Sequence, residues 1–421
     1  MKSVQKLVAA AGVAFLLGQS LGFAKEPQHP SPRLTRTQTQ EHDLVTIEHP
    51  DSDVAVVLLS LPRTKRDYSP REYESAAIAV KAVASRLDTV LTRYGSSVAY
   101  INENGTPTIS VTLLAEHLPT VLPLVTHHWF HTRFNPQEWQ ALLTQEATGS
   151  SAPDPLDQAV AAVLAQRSGL PVSSLKYDPR QFDRSRTALI VSGPLSTKDT
   201  LQILGDNSPL RRTVTPPHRI PRYLKPSVSE CEFAATDTSL TVILLPLDVN
   251  AVSESAWPSA RITIAVAGTG FESRLNQELR TKKGWAYGAG IPMYYYPSYS
   301  IGVAKARVTA EKALASAQLM KAVLSSLTTS PASDIEIRLA KEFLVENYWT
   351  NRELVTHEAA YLADFLNAGM SIKQFEGYAD SLTAVSSAQV KEFAIAHPVS
   401  IWVDKAYAVK ANGSLCRLPL V

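Results

Sequence analysis

The sequence is poor in cysteine: two residues, Cys231 and Cys416, in a chain of 421. They stand far apart, and no C-x-x-C spacing occurs, which excludes a cysteine-built metal site or a dithiol redox motif. A bridge between them and a pair of free buried thiols both fit the sequence. Net charge is nearly absent as well, at +2, too small to suggest a polyanion-binding surface, and nucleic acid is not expected as a partner. No G-x-S-x-G elbow, P-loop or dinucleotide fingerprint appears. The AGTG turn at 267–270 is not a phosphate cradle.

A run long enough to anchor the chain in a membrane is also missing. The apolar stretch from Leu7 to Leu17 follows Lys2 and Lys6 and gives way to small residues ending at Ala24. That is the pattern of a secretory signal cut after Ala24. An uncut N-terminal membrane helix is the alternative. With no cysteine near the cut, a lipid anchor is not expected. The mature chain is therefore expected to be exported, periplasmic or secreted, without a membrane span.

What is present divides the chain in two. Residues 207–228 carry a cluster of prolines and basic side chains without amphipathic period, which marks a linker, and 25–40 reads as a flexible lead-in. The segments on either side, 41–206 and 229–421, read in the same order. In the first, DVAVVLLSLP (53–62) is strand-like and Pro70 to Tyr94 is a helix with Ala76, Ala77, Val80, Val83, Ala84, Leu87 and Leu91 at helical spacing. PTISVTLLAE (107–116) alternates as a strand, a helix runs from about Leu118 to Trp129, and Asn135 with Pro136 opens another. A helix at 156–167 and a strand at 187–195 complete the segment.

In the second segment SLTVILLPL (239–247) and RITIAVAG (261–268) read as strands and 273–283 as a helix. A strand pair from Trp285 to Val308 follows, then helices at 313–327, 333–349, 352–368 and 386–396, and a closing strand at 400–407. The expectation is an α+β fold of two homologous domains, each a mainly antiparallel sheet with helices packed on one face.

The helix at 273–283 carries the most pointed pattern. Ser273 suits an N-cap, Leu275 and Leu279 lie one turn apart, Lys282 and Lys283 suit the last turn, Gly284 suits the left-handed C′ position, and Tyr287 begins a strand. Taken alone, that is a well-capped helix. In order, however, Ser273, Arg274, Leu275, Leu279, Arg280, Gly284 and Tyr287 resemble the signature S-R-L-x-x-x-L/V-R-x-x-x-G-x-x-Y. It belongs to the C-terminal half of insulinase/pitrilysin-type zinc metallopeptidases, which include the mitochondrial processing peptidases. RFNPQEW (133–139) and TALIVSGPL (187–195) are weaker echoes, and the first half is the more divergent.

Active members of that family bind zinc through H-x-x-E-H on the first helix of the N-terminal half, the intervening glutamate acting as general base. Here that helix holds Glu72 and Glu74 but no histidine. No metal is expected in this chain. His127 and His131 are an i, i+4 pair with His128 beside them, but no third ligand is evident and no glutamate lies between them, so they read as a polar or aromatic patch. His42 and His49 read as surface residues, and Tyr294, Tyr295, Tyr296 and Tyr299 as packing on the sheet or on a partner.

The resemblance implies that Arg280 and Tyr287 bind the peptide and stabilise the oxyanion of the scissile carbonyl. It further implies that zinc comes from a homologous H-x-x-E-H subunit, an extended peptide adding as a strand to a sheet edge. The expected protein is the non-metal subunit of an exported heterodimeric peptidase acting on unfolded peptides or small proteins, inactive alone. Assembly as a homodimer stays open. The alternative is a catalytically inactive peptidase-fold scaffold.

Overall fold

Val54–Ser60 is buried along nearly its whole length, and its two faces meet two different cores. The structure, a computed structural model, describes residues 33–37, 44–61, 70–102, 106–148, 172–207, 229–232, 240–248, 254–296, 299–367, 370–397, 406–410 and 415–419. The expected leader at 1–24, the helix at 156–167, nearly all of the linker at 207–228, and His42 lie outside them. So does most of the closing strand at 400–407.

In chain order the first half supplies β1 (Arg33–Thr37), β2 (Leu44–Glu48), β3 (Val54–Ser60), α1 (Pro70–Leu91), β4 (Ser97–Ile101) and β5 (Thr108–Leu114). Then come α2 (Leu118–His131), α3 (Pro136–Thr148), β6 (Ala188–Gly193) and α4 (Thr197–Leu204). Strand order is β1-β2-β6-β3-β5-β4. β6 runs parallel to β2 and antiparallel to β3, with Val57 opposite both Val111 and Val191. Ala55, Val57 and Leu59 face α1 and α2, whose Val80, Val83, Leu87, Val121, Leu122 and Val125 fill the same core. A reciprocal pair opens α3: Asn135 Oδ1 accepts from the Glu138 amide, and the Glu138 carboxylate accepts from the Asn135 amide, each at 2.9 Å.

The second half supplies β7 (Leu240–Asp248), α5 (Trp257–Gly268), α6 (Arg274–Asn276), β8 (Ala289–Gly290), β9 (Met293–Tyr296), β10 (Tyr299–Val308), α7 (Ala313–Thr329), α8 (Asp334–Glu353) and α9 (Val355–Asn367). It closes with α10 (Ile372–Glu376), α11 (Tyr378–Ala384), α12 (Ser387–Ala396), β11 (Ala406–Val409) and β12 (Leu415–Leu418). Its sheet is antiparallel, in the order β12-β11-β7-β10-β8 with β9 on β10. Among the four tyrosines at 294–299, Tyr299 pairs with Tyr296 in the β9–β10 hairpin.

Several elements depart from the sequence reading. RITIAVAG is helical, not a strand, and packs against α8 and α12. Ile262, Ile264, Val266 and their neighbours are buried on every side, and such a run has no period to separate helix from strand. The strands Leu44–Glu48 and Ser97–Ile101 were not foreseen, and Arg33–Thr37 is a strand within the expected flexible lead-in. Of the two cysteine states left open, the bridge is present: Cys231 and Cys416 are joined, with Cα atoms 4.9 Å apart. Beside it the Cys231 amide donates to the Arg417 carbonyl at 3.0 Å and the Arg417 amide to that of Ser229 at 2.9 Å.

Residues Leu34 to Val421 form one compact unit. The second face of the first sheet closes against the second half: Val45, Ile47, Val56, Leu58 and Ile190 share a core with Ala359 and Leu362 of α9. At its rim His49 is no free surface residue. Its Nε2 lies 3.0 Å from Oε2 of the fully buried Glu358, whose Oε1 accepts from Arg352 Nε at 2.8 Å. Arg352 Nη1 in turn donates to the Tyr348 hydroxyl at 2.6 Å.

Candidate functional site

The turn from α5 into α6 is assembled from short-range constraints. Gly270 has φ +83°, a conformation that favours glycine. Its carbonyl accepts from Ser273 Oγ and from Asn276 Nδ2, both at 2.8 Å. Ser273 stands at the N-cap position, but its hydroxyl donates backwards to Gly270 and accepts from the Asn276 side chain at 3.3 Å, not from a first-turn backbone amide as an N-cap would. Leu275 and Leu279 are both fully buried.

The helix itself is not the plain α-helix expected over 273–283. After Asn276 it widens to a π-helical stretch, Gln277–Lys282. The cause lies downstream. Asn276 Oδ1 accepts from the Ala289 amide at 2.8 Å and its Nδ2 donates to the Ala289 carbonyl at 2.7 Å, while the Trp285 amide bonds the Leu279 carbonyl at 2.8 Å. The chain is thus drawn back onto its own helix before the final turn closes normally. π-Helical turns often occur at functional sites. Gly284 takes the left-handed conformation expected of it, with φ +62°. Tyr287 lies in a bend, not at a strand start, because the Asn276 clamp sets the strand at Ala289.

The two arginines of the signature have different fates. Arg274 is fully committed: Nε donates to Glu336 Oε1 at 2.6 Å, Nη2 to Oε2 at 3.1 Å, and Nη1 to the Ser330 carbonyl at 2.9 Å. Glu336 also closes the capping box of α8 with Ser333. Hydrogen bonds from Arg274, with further ones from Ser333, hold the Glu336 carboxyl down at about 2 although partial burial opposes them.

Arg280 has no such partner. Among the described residues no hydrogen bond or ion pair engages its guanidinium, whose Cζ lies 4.6 Å from the centroid of Phe271 and 5.7 Å from that of Tyr287. Tyr287 is 88% exposed and Phe271 65%. Nearby, Lys283 and Lys312 both stand over the Trp285 ring, so this surface is cationic and aromatic together. A free guanidinium fork and an exposed phenol can donate to an oxygen that is gaining negative charge. Phe271, Asn276 and Glu336 escaped the sequence reading. The S-D-I-E capping pattern at 333–336 was a usable signal for Glu336, whereas Phe271 and Asn276 carry none outside their contacts.

The donor set among the described residues does not fit zinc. α1 brings Glu72 and Glu74 without a histidine, and among the described residues no group of three or more His, Cys, Asp or Glu side chains could hold a metal. The rings of His127 and His131 stack at 4.3 Å, and His131 Nδ1 lies 3.0 Å from the His127 carbonyl. Burial lowers the pKa of His128, and His127 and Arg86 add to the effect. No described helix is long and apolar enough to cross a membrane.

Comparison with known proteins adds three findings. Residues 175–344, which include Arg280 and Tyr287, match the family model described as the peptidase M16 inactive domain. No curated protein matches the chain by sequence. Among solved structures, a protease from Helicobacter pylori superposes with a TM-score of 0.70 at 11% identity, covering 92% of this chain and 100% of that one. The peptidase M16 inactive domain from Pseudomonas fluorescens gives 0.64 at 15%, covering 93% and 98%. A chain of complex III2 from Candida albicans gives 0.59 at 12%, covering 84% and 90%.

Proposed function

From a chain that has the M16 peptidase fold and matches that family's inactive domain over residues 175–344, we propose the non-metal subunit of an exported heterodimeric metallopeptidase. Its partner is a homologous H-x-x-E-H subunit that holds the zinc, and its substrates are unfolded peptides or small proteins. One observation carries this reading. Within this single stretch, Arg274, Leu275, Asn276 and Leu279 are committed to the fold, while among the described residues Arg280 and Tyr287 keep their donors free.

The chemistry follows from those donors. As a peptide carbonyl becomes tetrahedral its oxygen gains charge, and Arg280 N–H groups with the Tyr287 O–H donate to it. Such a preorganised donor is worth on the order of a hundredfold in rate. The Cys231–Cys416 bridge supports export, since disulfides persist in oxidising compartments.

The test is coexpression with a zinc-binding homologue. Zinc-dependent peptide cleavage is expected from the mixture and from neither chain alone, and Arg280→Ala is expected to lower turnover about a hundredfold without dissolving the complex. Normal turnover in that variant, or zinc-dependent cleavage by the unaccompanied chain, would refute the assignment. The likeness to a chain of complex III2 favours a second reading, a structural or peptide-holding scaffold. That reading wins if Arg280→Ala and Tyr287→Phe change nothing but the surface.

A further inference from the structure

Arg280 raises a physical question: what orients it? An arginine on a surface loses considerable rotamer freedom when it is held in one place. Arg274 is held by Glu336, but a carboxylate would consume the donors and neutralise the charge that an oxyanion needs. An aromatic face holds a guanidinium plane through its quadrupole and leaves the N–H groups at the plane's edge unspent.

Phe271 offers such a face, and it is itself held. The loop behind it is fixed by the Ser273 and Asn276 hydrogen bonds to the Gly270 carbonyl, and the Ile291 amide donates to the Gly268 carbonyl at 2.8 Å. On the other side the Phe343 ring packs so closely over Gly270 that a Cβ there would stand 3.2 Å from it. A large apolar side chain is thus kept mostly in water on a rigid turn, with the Arg280 guanidinium 4.6 Å from its ring centroid.

We propose that Phe271 is a positioning residue for Arg280, stacking its guanidinium so that the charge stays available to substrate. The inference rests on the proposed role of Arg280, and its test separates the two. In the complex with the zinc subunit, Phe271→Leu keeps the apolar bulk and removes the quadrupole. It should lower kcat about two- to fivefold, the population shift of an exposed cation–π contact, with KM and melting temperature unchanged. Phe271→Trp should restore turnover.

In the isolated full chain with isotope-labelled arginine, the Arg280 side-chain protons should carry an aromatic ring-current shift. Arg280→Lys identifies their signals. The shift should persist in Phe271→Trp and shrink in Phe271→Leu, leaving the share that Tyr287 contributes. Unaltered Arg280 signals in Phe271→Leu, or wild-type kcat there while Arg280→Ala is crippled, would overturn the proposal. Should Arg280→Ala itself leave turnover intact, the reading of the site falls, and the spectra still decide whether Phe271 holds the arginine.

Discussion

Arg274 and Glu336 are joined by two parallel hydrogen bonds, at 2.6 and 3.1 Å, that tie the start of α6 to the capping box of α8. Arg274→Ala should therefore cost about 2 kcal/mol, the scale of charge-assisted hydrogen bonds at a partly buried site. The pH dependence has a definite sign. The Glu336 carboxyl is drawn from 4.5 down to about 2, so the pair contributes fully above pH 4.5 and is lost as pH falls through 2. Denaturant melts of both proteins should show their stability difference shrinking across that window. A constant difference would mean that Arg274 acts through packing alone.

The disulfide makes a separate prediction. It joins residues 185 positions apart, fastening the segment that follows the expected linker beside the C-terminal strand. Restricting so large a loop in the unfolded chain is worth about 2–5 kcal/mol. Calorimetry with and without reductant should show a matching fall in melting temperature. A Cys231→Ser/Cys416→Ser variant should start from the lower value and ignore reductant.

The contact between the halves includes a buried polar group. Glu358 is fully buried between Arg352 and His49. Glu358→Ala leaves the Arg352 guanidinium buried without its carboxylate, a loss of about 3–5 kcal/mol. His49→Ala removes a contact that is partly exposed and should cost about 1 kcal/mol. Both variants should move one cooperative transition. A biphasic urea curve with only one half affected by His49→Ala would show that the halves unfold separately.

How much of this was legible depended on whether a signal was local. Helix α1 and strand β5 were readable from their apolar periods, and β3 from a short continuous apolar run rich in β-branched residues. The helix Trp257–Gly268 was not, since burial all round erases the period, and Ser97–Ile101 was missed because it is short and none of its residues is fully buried at the sheet edge. At the site, composition and spacing could not rank Arg274 against Arg280. Resemblance pointed to Arg280, while the difference between them, one arginine saturated and the other free, exists only in three dimensions. Phe271 likewise means little in sequence and acquires a role through the ring it places beside a cation.

Gly270 precedes the signature and Gly284 lies within it, and their substitutions should separate backbone strain from site geometry. Gly284 has φ +62° and open space around a built Cβ. Gly284→Ala should then cost only the left-handed backbone penalty, about 1–2 kcal/mol, and leave the aromatic ring-current shift on Arg280 in place. Gly270 has φ +83° and the Phe343 ring 3.2 Å from where its Cβ would stand. Gly270→Ala must add a ring displacement to the same penalty, on the turn that carries Phe271. It should lose more stability than Gly284→Ala and alter the Arg280 signals as well. Equal stability losses and unchanged Arg280 signals in the two variants would show that the turn yields without disturbing the arginine, and that the rigidity attributed to it is not what holds the site.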